Sequence, residues 1–243
     1  MSKTRIVFVH GMDSYGAAAW PAQHRLAGNY DCLFLKRTGF DAVAPVTATD
    51  FAADAKIVID ALGHGGHVVA HAQGAVAAMM AAVQRPDLVT SLVLIEPLLP
   101  SLTAELPASA AYSARVAELF ARSGELGDAE FLMEFNTLLA VTTAGAAEPV
   151  ARRAARARLQ LPSSAAPLLI IAGVPTLVLT GGWEPLYEEV ADYLESTGAK
   201  HVVLRSGHRP HDTAAGAAQI EQFIQATAAT ARSAVQSADA DPA

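Results

Sequence analysis

Short, mostly apolar runs at residues 5–10, 31–35, 67–71, 91–96, 176–180 and 200–204 set the rhythm of the chain. Their length and lack of strict alternation predict strands buried on both faces, as in a parallel sheet. Between them lie stretches with helical spacing. One spans residues 17–27. Another follows the N-cap candidates Thr49 and Asp50, carries Phe51, Ala55, Val58, Ile59 and Leu62, and stops at Gly63. Further helices are predicted at 73–84, before Arg85-Pro86, at 186–196 and at 212–228, while residues 38–46 read as loop. Strands alternating with helices predict an α/β fold, a doubly wound and mostly parallel sheet with helices on both faces.

The rhythm breaks after Pro100. No strand is predicted until residue 176; helices are expected instead near 108–122, 128–141, 148–159 and 164–171. An insertion of roughly seventy helical residues between two sheet strands reads as a cap over the active-site face. The expected organisation is therefore a core at 1–99, a helical cap at 100–174, the rest of the core at 175–229 and a flexible tail at 230–243.

Composition narrows the classes. The chain of 243 residues is 52% hydrophobic and 17% charged, enough to bury a substantial core. A formal net charge of −7 argues against nucleic acid as a partner. The N-terminal apolar run is too short for a secretory segment or a membrane span, so a cytoplasmic protein without a membrane partner is expected. Cys32, the single cysteine, reads as a buried strand thiol. A homodimer stays open.

The chemistry centres on Ala70-His71-Ala72-Gln73-Gly74, where an apolar strand runs into a tight turn and an Ala-rich helix. Gly-x-Ser-x-Gly places a nucleophilic serine on such a strained strand-to-helix turn. Here Ala72 holds the serine position and Ala70 that of the first glycine. With His10-Gly11 after the first strand and Ser206-Gly207-His208 after the last, three motifs occur in the family's chain order. On these motifs the sequence resembles the α/β-hydrolase fold superfamily, in particular small esterase- and lactonase-like members with a helical cap. The resemblance covers about residues 4–100 and 175–228, and the cap only by position and helical character.

The resemblance implies roles. His208 would be the general base, with His211 second. Two carboxylates compete as its acid partner. Glu184 follows the strand after the cap, the common family position. Glu96 closes the strand before the cap, a placement similar to zearalenone-type lactonases. Glu96 is preferred, because a carboxylate ending an apolar strand needs a partner. The oxyanion hole would use backbone amides at Gly11 or Met12 and at Gln73. His71, Trp183, Phe131 and Phe135 are candidate substrate contacts, although ordinary packing is the default for the two phenylalanines.

The implied activity is hydrolysis of an ester, lactone or thioester of a mostly apolar small molecule. Alanine cannot attack a carbonyl. Two explanations stay open: a serine replaced at position 72, or a natively serine-free lyase, isomerase or cyclase using His208 for proton transfer. A ligand-binding pseudo-hydrolase is the non-enzymatic alternative.

Other signals are weaker. His67 and His71 stand about 13 Å apart along a strand, and with His64 they lack a completing cysteine or carboxylate, so no metal is expected. No phosphate-cradling glycine motif occurs and no cofactor is expected. The basic run Arg152-Arg153-Ala154-Ala155-Arg156-Ala157-Arg158 suits a carrier-bound acyl group, but a solvated helix face is the preferred reading.

Overall fold

Six parallel strands form one sheet in the computed structural model, which describes residues 3–139, 148–170 and 173–239. They are β1 (Arg5–Val9), β2 (Asp31–Phe34), β3 (Gly66–His71), β4 (Val89–Ile95), β5 (Thr176–Thr180) and β6 (Lys200–Val203), in the order β2-β1-β3-β4-β5-β6. The chain moves one way from β1 to β2 and the other way from β3 onward, so the order reverses at β1. Ligands in open α/β sheets bind outside the carboxyl ends of the strands at such a point. The register brings those ends level: Val9 pairs with Ala70, His71 with Ile95, Ile95 with Leu179, and Thr180 with Val203.

Successive side chains point to opposite faces, and each face has its own apolar layer. Val7, Val9, Val68, Leu92 and Leu94 pack under α1 (Phe51–Leu62), α2 (Gly74–Gln84) and, through Val190 and Leu194, the helix Pro185–Ser196. Ile6, Phe8, Val69, Val93 and Leu177 pack under Trp20, Leu26, Ile220 and Ile224. Asp50 caps α1 by accepting from the Ala53 amide at 2.9 Å, as its side-chain chemistry predicts.

The insertion contributes α3 (Pro107–Ala121), α4 (Asp128–Leu139) and α5 (Val150–Arg158), and α6 (Pro185–Ser196) follows β5. The three inserted helices bury Val116, Leu119, Phe131 and Leu139 among themselves and against Leu98 and Tyr187 of the core. Threonine and glutamine sew the end of the insertion to the loop before α1: Thr49 Oγ1 donates to Gln160 Oε1 at 2.7 Å, and its amide to the Leu159 carbonyl at 3.0 Å.

Four local expectations are corrected. Residues 17–27 form two 3₁₀ helices, Gly16–Ala19 and Pro21–Gly28, because Pro21 pushes Trp20 out of the helical region (φ −131°, ψ 47°). Of the helix expected at 164–171 only a 3₁₀ turn, Ser163–Ala165, forms; Pro167 holds Ala166 extended (φ −71°, ψ 129°), and Ile171 lies outside the described residues. The last helix, α7 (Ala214–Asp239), continues through the segment read as tail, since that stretch is Ala-rich and free of helix breakers; residues 240–243 lie outside the described residues. Cys32 is only half-buried, because β2 is an edge strand.

One glycine tests the packing of the turn after β3. A Cβ on Gly74 would sit 2.5 Å from the His10 carbonyl oxygen and 2.6 Å from that of Val9. Backbone there cannot yield cheaply, so Gly74→Ala is expected to cost about 2–4 kcal/mol of unfolding free energy despite alanine's better helix propensity. Equilibrium denaturation of the two proteins measures this; equal midpoints would mean β1 does not fix the turn.

Candidate active site

The turn after β3 has the geometry that the sequence suggested. Ala72 adopts φ 49°, a left-handed conformation that alanine rarely takes. It is held there from both sides: its amide donates to the Ile95 carbonyl at 2.9 Å, and its own carbonyl accepts from Ala75 at 3.1 Å. Ala72 is buried, and Gly11 lies so close that a Cβ there would meet the Ala72 methyl at 3.1 Å. Among the described residues, neither the Met12 nor the Gln73 amide donates to a protein acceptor. Two unspent N–H groups beside the elbow are what an oxyanion hole requires.

Glu96 and His208 come together. Glu96 also has positive φ (45°), directly after β4, and is fully buried. Its Oε1 accepts from the Gly181 amide and its Oε2 from the Trp183 indole at 3.0 Å. The same Oε2 lies 3.7 Å from His208 Nδ1, which has no other partner among the described residues. A cage of rings surrounds His208: His71 at 4.6 Å, Tyr187 at 5.5 Å and Trp183 at 6.0 Å between centroids. Glu184 is different. It sits at the N-cap of α6, half-buried, and among the described residues makes no ion pair with His208.

His71, expected to touch substrate, instead supports the loop after β6. It is buried, and its Nε2–H donates to the His208 carbonyl at 2.9 Å, which fixes the tautomer. Burial, reinforced by the neighbouring His208 and His211, pushes its pKa well below the ordinary value. His211 packs its ring, tilted, against His71 and Trp20, fully buried, with its pKa likewise lowered by burial and then by Arg209 and His208. Trp183 supports Glu96 through its indole. Phe131 is corrected to core: it is wholly buried, stacked on Phe135 at 5.8 Å and covered by the Arg158 guanidinium at 4.7 Å. Phe135 does line open space, beside Met12.

Sequence reasoning missed Arg37. From the loop after β2 its guanidinium enters the interior, 3% exposed, and pairs with the equally buried Asp54 at 3.4 Å. Its Nε donates to the His10 carbonyl at 3.0 Å, and one terminal nitrogen reaches the Gly11 carbonyl at 2.8 Å and Gln73 Oε1 at 3.1 Å. Both flanks of the elbow are thus clamped by one cation. His10 joins in as a neutral imidazole: Nδ1–H donates to the Gly11 carbonyl at 2.8 Å, and Nε2 accepts from the Arg37 amide at 3.1 Å. Burial and the adjacent Arg37 drive its pKa well down.

Asp13 was missed as well. It pairs with Arg209, while its Oδ1 is buried and among the described residues has no hydrogen-bond partner. Burial opposes its ionisation, but His71 and Arg209 outweigh that and hold its carboxyl below the usual range. For a metal, the described residues offer one cluster, Asp192, Glu195 and His201, whose ligand atoms lie within 4.8 Å of one another. It lies on α6 and β6, away from the elbow, with both carboxylates exposed.

A strained strand-to-helix turn, a histidine after the last strand and a buried acid beside it define the class of fold and site. The chain belongs to the alpha/beta hydrolase family, whose sequence profile matches residues 6–220. Among solved structures it is similar to MenH from S. aureus (15% identity, TM-score 0.62, 93% of this chain and 95% of that one). NosK from Streptomyces actuosus (23%, 0.58, 93% and 99%) and the enol-lactonase from Burkholderia xenovorans LB400 (17%, 0.57, 93% and 92%) are similar too. At these identities the likeness is one of fold. No curated protein matches the sequence. Among the described residues, no helix is long and apolar enough to cross a membrane.

Two measurements probe this arrangement. Asp54→Ala strands a buried guanidinium and is expected to cost about 3–5 kcal/mol; a loss below ~1 kcal/mol by urea denaturation would show that Arg37 reaches water. Histidines 10, 67, 71 and 211 all have pKa values lowered by burial, His67 to about 4. The unfolded chain therefore binds more protons below its histidine pKa of about 6.5. Stability should be level above about pH 7 and fall steeply between roughly pH 6.5 and 4, by up to ~5 kcal/mol per pH unit if four protons are taken up. A flat unfolding free energy from pH 7 to 5 would contradict it.

Proposed function

We propose that the chain carries an acyl-group site: it takes an ester, lactone or thioester of a mostly apolar small molecule and centres the chemistry on position 72. The observation that carries this is Ala72 held at φ 49° beside a His208–Glu96 pair, with two free amides at hand. A serine at that turn would present its hydroxyl to the carbonyl carbon. His208 would take the proton and return it to the leaving group, Glu96 would orient the imidazole, and the Met12 and Gln73 amides would receive the oxyanion. Water then releases the acyl group by the same base. The helical insertion serves as the cap, excluding bulk water from this face. With alanine in place, the pocket retains binding and oxyanion stabilisation but no covalent route.

A second reading, serine-free proton-transfer chemistry, is favoured by one feature: the buried imidazoles of His71, His208 and His211 cluster near Asp13, whose Oδ1 is unpartnered. It requires turnover by the chain as it stands, abolished by His208→Ala.

Ala72→Ser is the direct test, using p-nitrophenyl and lactone substrates of increasing chain length. A burst and turnover raised at least ~10³-fold over the unmodified chain are expected. In that background Glu96→Gln should lower turnover by about 10²–10⁴, whereas Glu184→Gln should leave it within roughly twofold. A folded Ala72→Ser protein with neither burst nor turnover would sink the reading.

A further inference from the structure

A cavity of about 560 Å³ opens between the loop after β1 and helices α4 and α5. That size falls within the range of small-molecule sites. Met12, Leu132 and Phe135 give it an apolar wall; Arg152, Arg153 and Arg156, on one face of α5, give it a basic one.

The arginines are not alike. Arg152 and Arg156 both bond Glu148, at 2.9 and 2.5 Å, and reach on to the Asp41 and Gly39 carbonyls. They are structural: they tie the insertion to the loop after β2, and Arg156 stacks over Tyr15 and Phe40. Arg158 points elsewhere, to Asp128. Arg153 is half-buried at the cavity wall, and among the described residues its guanidinium has no hydrogen bond or ion pair. Three guanidinium groups therefore face one carboxylate, Glu148; the other acid at the wall, Asp13, is already matched by Arg209. The lining therefore carries about two excess positive charges, and among the described residues only the Arg153 guanidinium has uncommitted donors. Holding a long cation half out of water with no partner costs desolvation and side-chain entropy and returns nothing to folding.

We propose that this cavity is the substrate chamber, and that Arg153 binds a carboxylate on an otherwise apolar substrate. A planar guanidinium with its donors free matches a carboxylate in bidentate fashion. A phosphate dianion would find only one guanidinium with free donors and would lie close to Glu148, so the single free fork suits a carboxylate monoanion. The anion also sets direction: held by Arg153, it leaves the apolar remainder along Phe135 and Met12, toward the loop whose Gly11 packs against Ala72. The inference rests on the reading above for the bond that is cut, but the binding stands apart from turnover.

Calorimetric titration of the full chain with octanoate, 1-octanol and octyl phosphate tests this. Octanoate should bind at least about tenfold more tightly than 1-octanol. Arg153→Met should erase that difference while leaving 1-octanol within about twofold, and Arg153→Lys should keep part of it. Ala18→Phe, which fills the cavity from an exposed turn, should weaken both ligands. Equal binding of octanoate and 1-octanol, or a gap that survives Arg153→Met, would overturn the anion site. Affinities untouched by Ala18→Phe would overturn the chamber, and octyl phosphate binding more than about tenfold tighter than octanoate would overturn the carboxylate assignment. An Ala72→Ser protein that lacks esterase activity but keeps the octanoate pattern would refute the reaction and leave the site standing.

Discussion

The Arg37 guanidinium is the constraint on which the site depends. A cation 3% exposed is tolerable only if its donors are spent, and here they are spent on Asp54, on the carbonyls of His10 and Gly11, and on the Gln73 side chain. Four segments far apart in sequence, the ends of β1 and β2, the first turn of α1 and the start of α2, are thereby held to one point. None of these bonds involves the side chain at position 72. The shape of the elbow is set by backbone carbonyls and a buried ion pair, so it persists with a methyl group where a hydroxyl would act.

The strain is distributed in the same way. The positive-φ residues other than glycine among the described residues are Ala72, Glu96 and Arg205, and each follows the carboxyl end of a strand. Such conformations cost of order 1–3 kcal/mol and persist only when their surroundings over-determine them. At Ala72 the surroundings are the Ile95 carbonyl and the close approach of Gly74 to β1. At Glu96 they are the Leu179 carbonyl, which accepts its amide at 2.8 Å, and the two donors on its carboxylate. Each turn borrows its rigidity from the neighbouring strand, which is why level strand ends matter more than any single hydrogen bond.

Much of this was legible in the sequence because it rests on local rules. Apolar runs gave the strands, the motif around Ala72 gave the tight turn, and a carboxylate ending an apolar strand marked Glu96 as needing a partner. What was not legible depends on where long side chains turn. Arg37, in a loop, looks like a solvated charge; only the fold brings Asp54 and the Gly11 carbonyl within its reach. The basic run of α5 likewise resembled a wet helix face, yet Glu148, Asp128 and loop carbonyls consume three of its four arginines. Phe131 and Phe135 lie a helical turn apart, and a rotation of α4 decides which one meets the cavity. Pro167 and Pro21 were visible throughout, but apolar spacing outweighed them in the reading.

Position 72 limits the chemistry more sharply than composition does. Both oxygens of Glu96 already accept hydrogen bonds, from the Gly181 amide and the Trp183 indole, and Nδ1 of His208 is 3.7 Å away. A carboxylate so held is placed to orient the imidazole. His71 cannot share the task, because its Nε2–H is spent on the His208 carbonyl and burial keeps it neutral. In the proposed reaction His208 is therefore the single base, and any proton it accepts leaves to the substrate or to water, whether a serine or a substrate hydroxyl supplied it.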